Sequence, residues 1–210
     1  MLAMLLAGGS ATAASTENPA GASVRVWISD SVGVSTDDVA TAQAAADAIL
    51  REAGIAPVWL QCGLGAANGR SSRALCERGV SPGEIVVRLL QSSPQDTSRC
   101  RVTLGEAVID TRTHTGSIAT VFVDRVVRTS ARAGANLSRV MGRVIAHEIG
   151  HLLLGSTGHA RSGLMRAAWT DRELRRAAGP EWHFSASEAG RMRALIVARG
   201  NRAGARSPGP

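Results

Sequence analysis

The sequence predicts an α+β fold in one domain over residues 22–200: a mixed, twisted sheet that carries one long, largely apolar helix and is closed by a C-terminal helix. Three observations predict it. A strand, helix, strand succession opens the chain, two β-rich runs around a short polar turn follow, and two helical periodicities occupy the second half. A chain of 210 residues, 44% apolar and 20% charged, suffices for one well-buried core and is short for two.

Residues 1–14 are apolar and end in Ala11-Thr12-Ala13-Ala14, the pattern of a signal peptide's h-region and cleavage site, although no basic n-region precedes them. With fewer than about 18 apolar residues the segment is too short to span a membrane, and no other stretch qualifies. In residues 24–28, Val24, Val26 and Ile28 alternate with Arg25 and Trp27, which reads as a first strand. Ser35 with Asp37 and Asp38 then supplies a cap and an acidic first turn. Val39, Ala42, Ala46, Ile49, Leu50 and Ala53 follow as one apolar stripe ending before Gly54. Residues 57–60 begin a second strand, and the Pro82-Gly83 turn launches a third over 84–90. So short a strand, helix, strand connection implies a right-handed crossover.

Residues 91–101 are polar and read as a surface loop. Residues 102–109 and 117–123 read as a hairpin around Thr113-His114-Thr115-Gly116. A helix then starts at Asn136 as N-cap, with Leu137, Val140, Met141, Val144, Ile145, Ile149 and Leu152 facing the core, and Gly155 is suited to the left-handed conformation that ends it. Beyond Met165 the chain is charged and poorly periodic through Pro180. Ser185 and Glu188 form a capping-box pattern before the last helix, whose stripe is Ala189, Met192, Leu195, Ile196 and Ala198. Residues 201–210 read as a disordered basic tail.

Cys62, Cys76 and Cys100 suit an exported protein with one disulfide and one cysteine left over, and none has metal spacing. The Gly-, Ala-, Asn- and Ser-rich stretch between Cys62 and Cys76 favours that pair, because a staple there reduces the freedom of the unfolded chain; all three pairings stay open. The net charge of +7 gathers late, at Arg191, Arg193, Arg199, Arg202 and Arg206. With no Tyr, two Phe and four Trp, the chain lacks the stacking aromatics of a nucleic-acid interface, so this charge reads as a solvated helix face and tail.

The chemistry is concentrated in His147-Glu148-Ile149-Gly150-His151, followed by Gly155, His159 and Met165. Histidines four apart on a helix share one face and can share one ion, with Glu148 beside that ion. Imidazole-held zinc leaves a position for water and lowers its pKa to about 7, and an adjacent carboxylate can take the proton. Glu148 is not needed to hold metal, which favours a hydrolase over a protein that only binds it.

This stretch resembles the metzincin zinc peptidases, whose motif is H-E-x-x-H-x-x-G-x-x-H with a Met-turn after it. Here the glycine and third histidine come one and two residues later, at Gly155 and His159. Leu104-Gly105-Glu106-Ala107 is similar to the edge strand that metzincins place beside the cleft. The resemblance implies Zn2+ on His147, His151 and His159, Glu148 as general base, Met165 and Gly155 as structural support, and a peptide lying along Leu104, Gly105, Glu106 and Ala107. Glu173 and Glu188 compete with His159 as third ligand. Several metzincins use a tyrosine to steady the oxyanion; this chain has none, which leaves zinc, backbone amides, His183 or His114. The expected protein is a secreted or periplasmic zinc-dependent endopeptidase acting on peptides or proteins, with no nucleic-acid partner. The alternative is a catalytically inactive zinc-binding or adhesive extracellular protein.

Overall fold

The computed structural model describes residues 22–63, 80–81, 83–93 and 103–204, with side chains through residue 199. The expected signal peptide, two of the three cysteines (Cys76 and Cys100) and the last part of the tail lie outside the described residues, and the favoured Cys62–Cys76 pairing falls there with them.

Strand β1 (Ala22–Asp30) sits at the centre of the sheet's parallel part because its even positions are apolar: Val24, Val26 and Ile28 are all buried. Helix α1 (Thr36–Glu52) follows, capped by Ser35, whose side chain accepts from the Asp38 amide, and returns the chain to β2 (Ile55–Gly63), parallel to β1. This is the predicted strand, helix, strand unit. Strand β3 (Ile85–Leu90) then joins the other side of β1, and β5 (Thr115–Phe122) adds in parallel to β3. Strand β4 (Gly105–Asp110) pairs antiparallel with β5 as the hairpin requires and forms the outer edge, giving a five-stranded mixed sheet in the order β2-β1-β3-β5-β4.

Three helices differ from expectation. Residue 123 was expected to end a strand, but α2 (Val123–Ala133) starts there, directly out of β5 and without a side-chain cap. The run Val121-Phe122-Val123 is β-rich and conceals the switch. The periodic signal lies further on, in Val126, Thr129, Ser130 and Ala133, all buried, before Gly134 closes the helix in the left-handed conformation. The charged stretch after Met165 contains α4 (Asp171–Arg175), opened by a capping box in which Thr170 and Glu173 bond each other's backbone. The third difference is at the C-terminus, where α5 (Ala186–Gly204) continues four residues into the expected tail.

The principal helix, α3 (Leu137–Leu154), runs from an Asn136 cap to a left-handed Gly155, as its sequence predicts. It is buried nearly all round, since α1 covers one side, the sheet a second and α5 a third. Its approach to α1 is close: a Cβ on Gly142 would stand 2.4 Å from the Ala42 carbonyl oxygen. Ser138 also donates to Asp38 at 2.5 Å, so residues 38 and 42 meet residues 138 and 142 and the two helices run side by side in the same direction. At the far end, Arg193 of α5 donates to the Ala53 carbonyl at 2.6 Å, and Arg199 reaches the carbonyls of Gly116 and Leu152. Late arginines read as a solvated face therefore include two that bind the ends of other elements. Among the described residues no helix is long and apolar enough to cross a membrane.

Candidate metal centre and cleft

The last two turns of α3 and the loop after it build the site. His147 and His151 project from one face of the helix, and the reversal through Gly155 brings His159 back over them. One ligand nitrogen from each of the three lies within 4.8 Å of the others. Gly155 is required at the reversal: its φ is 61°, and a Cβ there would collide with the His114 carbonyl. Glu173 and Glu188 are not in the cluster. Glu173 accepts from Thr170 and from Arg166 at 2.7 Å, while Glu188 closes its own capping box on Ser185.

The orientation of the imidazoles is set by backbone carbonyls. His147 Nδ1 is 2.8 Å from the Leu164 oxygen, and His151 Nδ1 is 2.7 Å from the Ser156 oxygen. A carbonyl only accepts, so both Nδ1 atoms carry the proton and both Nε2 atoms present lone pairs. Those two Nε2 atoms are 3.0 Å apart. Facing lone pairs at that distance repel unless a cation lies against both. Protonating a ring is the alternative, and burial, followed by the neighbouring His151, opposes it by lowering the His147 value to about 4. The donor set thus fits a metal ion, with carbonyls in the outer shell fixing ring orientation.

Glu148 is buried one step round the helix from His147, and its carboxyl is pushed up to about 8 by burial and, secondarily, by the charge of Glu106. A positive charge held on the adjacent imidazoles would act in the opposite direction. Space for this side chain depends on Gly105 of β4, where a Cβ would stand 2.8 Å from Glu148 Cγ and Oε1. Below the cluster, Met165 is 1% exposed and packs on Gly150, where a Cβ would lie 2.6 Å from its sulfur.

The cluster opens into a cleft of about 510 Å3. One wall is the β4 edge at Leu104, Gly105, Glu106 and Ala107; the opposite wall comes from residues 166–169 and Leu174. The edge register is informative. Phe122 N–H donates to the Leu104 carbonyl at 2.9 Å, and Glu106 stands opposite Thr120. Hydrogen-bonded and open pairs alternate along an antiparallel ladder, so Leu104 and Glu106 point their backbone groups at β5 while those of Gly105 and Ala107 face the cleft. His114 and His183 do not line it. His114 is bound near the Gly155 carbonyl at 3.3 Å, and His183 pairs with Glu52 at 2.5 Å.

Sequence reasoning missed Trp169, whose ring meets His147 edge-on at 5.5 Å, as well as the Leu164 and Ser156 carbonyls. Carbonyls carry no side-chain signature. Trp169 offered only its aromatic character, four residues after Met165.

The mixed sheet with its antiparallel edge strand beside the histidine-bearing helix is an arrangement shared with solved structures. Archaemetzincin from Methanopyrus kandleri is similar with a TM-score of 0.50 and 16% identity, over 86% of this chain and 99% of its own. Metalloproteinase-II from Bacteroides fragilis is similar with a TM-score of 0.52 and 16% identity over 87% of this chain, which spans 55% of that longer protein. At such identity the likeness is one of fold. No family model and no curated protein sequence matches the chain.

Proposed function

We propose that the protein is a zinc-dependent endopeptidase of metzincin type. The observation that carries this reading is the pair of Nε2 lone pairs 3.0 Å apart, with His159 completing a three-nitrogen set and Glu148 buried beside it. Bound on His147, His151 and His159, zinc would supply Lewis acidity and lower the pKa of a water molecule to about 7.

The chain's own residues do the rest. Glu148 accepts the proton of the attacking water and returns it to the leaving amine, a role for a carboxylate confined beside the cluster. An extended peptide pairs with the outward amide and carbonyl groups of Gly105 and Ala107 as an added strand. Met165, packed on Gly150, is the counterpart of the Met-turn and supports the floor. Neither histidine considered for the oxyanion lines the cleft, which leaves backbone amides and, when bound, the Lewis acidity that zinc would supply. An extracytoplasmic location is part of the proposal, on the strength of the apolar segment 1–14 and the three cysteines.

The test is metal analysis with a broad peptide-cleavage screen of native protein and Glu148→Gln. Zinc near one equivalent with cleavage by the native protein only is the expected result. A zinc-loaded native protein that cleaves no peptide would leave a metal-binding protein without peptidase activity.

A further inference from the structure

Arg143 lies on α3 one turn before His147, and its side chain is among the largest fully buried ones, at 2% exposure. Burial lowers its pKa to about 10, so it remains charged at neutral pH. A cation is costly in such a place, and an apolar residue would pack there more cheaply.

Its contacts all lead to the segment that follows Met165. The guanidinium donates to the carbonyls of Leu174 at 3.0 Å, Arg176 at 2.5 Å and Ala177 at 3.1 Å. Its plane lies over the Trp182 ring, with Cζ 3.6 Å from the centroid. Trp182 meets Trp169 edge-on at 5.3 Å, and Trp169 meets His147 at 5.5 Å. One stack therefore runs from α3 through two indoles and back to a residue of the histidine cluster on the same helix. Along the way it fixes Trp169 and Leu174, which line the cleft. Only a planar fork with several donors can bind three carbonyls and stack on a ring at once.

We propose that Arg143 is a positioning residue which, through Trp182, holds Trp169 as the substrate-facing wall of the cleft and as the lateral support of His147. This rests on the peptidase reading for its effect on substrate, but not for its effect on Trp169. Arg143→Lys keeps the charge and a donor and loses the fork and the stacking plane. Trp182→Phe keeps the carbonyl bonds and shortens the stack.

The experiment measures KM and kcat on a peptide cleaved by native protein, and the quenching of tryptophan emission by Co2+ replacing zinc. In both variants we expect KM to rise roughly ten-fold with kcat within about two-fold, the pattern of lost uniform binding. In Arg143→Lys the fraction of emission quenched by one equivalent of Co2+ should fall by about half, since Trp169 is no longer held against His147. Native KM and native quenching would overturn the proposal, as would a loss of kcat that merely follows the loss of folded protein at unchanged KM. Should Arg143→Lys fail to fold, the KM of Trp182→Phe decides. Should the native protein cleave nothing, the peptidase reading falls, and Co2+ quenching in Arg143→Lys still decides whether the stack positions Trp169.

Discussion

Glu148 illustrates how a helix assigns roles to adjacent residues. His147 and His151 share one face because they are four apart, and Glu148 is displaced by one residue, which under the proposed function leaves it beside the ligand set as the proton acceptor. Glu148→Gln should accordingly retain zinc and lose about 10²–10⁴-fold in peptide cleavage, measured as metal content and kcat/KM on the same preparation. Gly105→Ala attacks the same carboxylate from the opposite wall. A methyl 2.8 Å from Glu148 Cγ and also from the Thr120 carbonyl forces either the carboxylate or the edge strand to move. The expected result is a large fall in kcat with metal retained, and wild-type kcat would show that the contact relaxes without consequence.

At the scale of elements, the edge strand, the loop after Gly155 and the capped start of α4 carry separable functions. Because Glu106 bonds inward to Thr120, proline at position 106 would break the β4–β5 ladder rather than remove a groove-facing amide. Ala107→Pro is the cleaner probe: it deletes an outward N–H and should raise KM while the melting temperature changes little. Native KM in that variant would count against the β4 edge as the peptide's rail. The third ligand is an element-scale question too, because only the loop after Gly155 delivers His159. His159→Ala should lower zinc affinity sharply in a titration. Glu173→Ala should leave affinity nearly unchanged and cost about 0.5–2 kcal/mol of stability through its capping box and the Arg166 pair.

For the whole molecule, α1 and α3 act as one unit that presents the cluster to the sheet edge. Asp38 and Ser138 join their first turns, and the hydrogen bonds from Ser138 and then Ser35 hold the Asp38 carboxyl below its ordinary range. A depressed carboxylate contributes stability that is fully present above its unfolded pKa, about 3.9, and is lost as pH falls through the lower folded value. Asp38→Asn should thus destabilise the domain at pH 7, by a margin that shrinks in melts taken below about pH 4. No such shrinkage would mean that the bond survives protonation.

The sequence by itself determined the elements whose chemistry is local. Asn136 and Gly155 bracket α3, alternation marks β1, and the four-residue spacing of His147 and His151 places both on one face, since side-chain direction follows from backbone period alone. It did not reveal α2, because the β-rich residues at the end of β5 continue into the helix. It did not distinguish α4 from a solvated charge run, although Thr170 and Glu173 are a capping pair in plain view. Tertiary structure decided what depends on residues far apart in the chain. That includes the Leu164 carbonyl that sets the His147 tautomer, the clearance Gly105 leaves for Glu148, the outward amides of β4, and the buried Arg143 beneath Trp182. Backbone carbonyls and empty volume leave no mark in residue identity, and they acquire meaning only when folding brings them against a side chain.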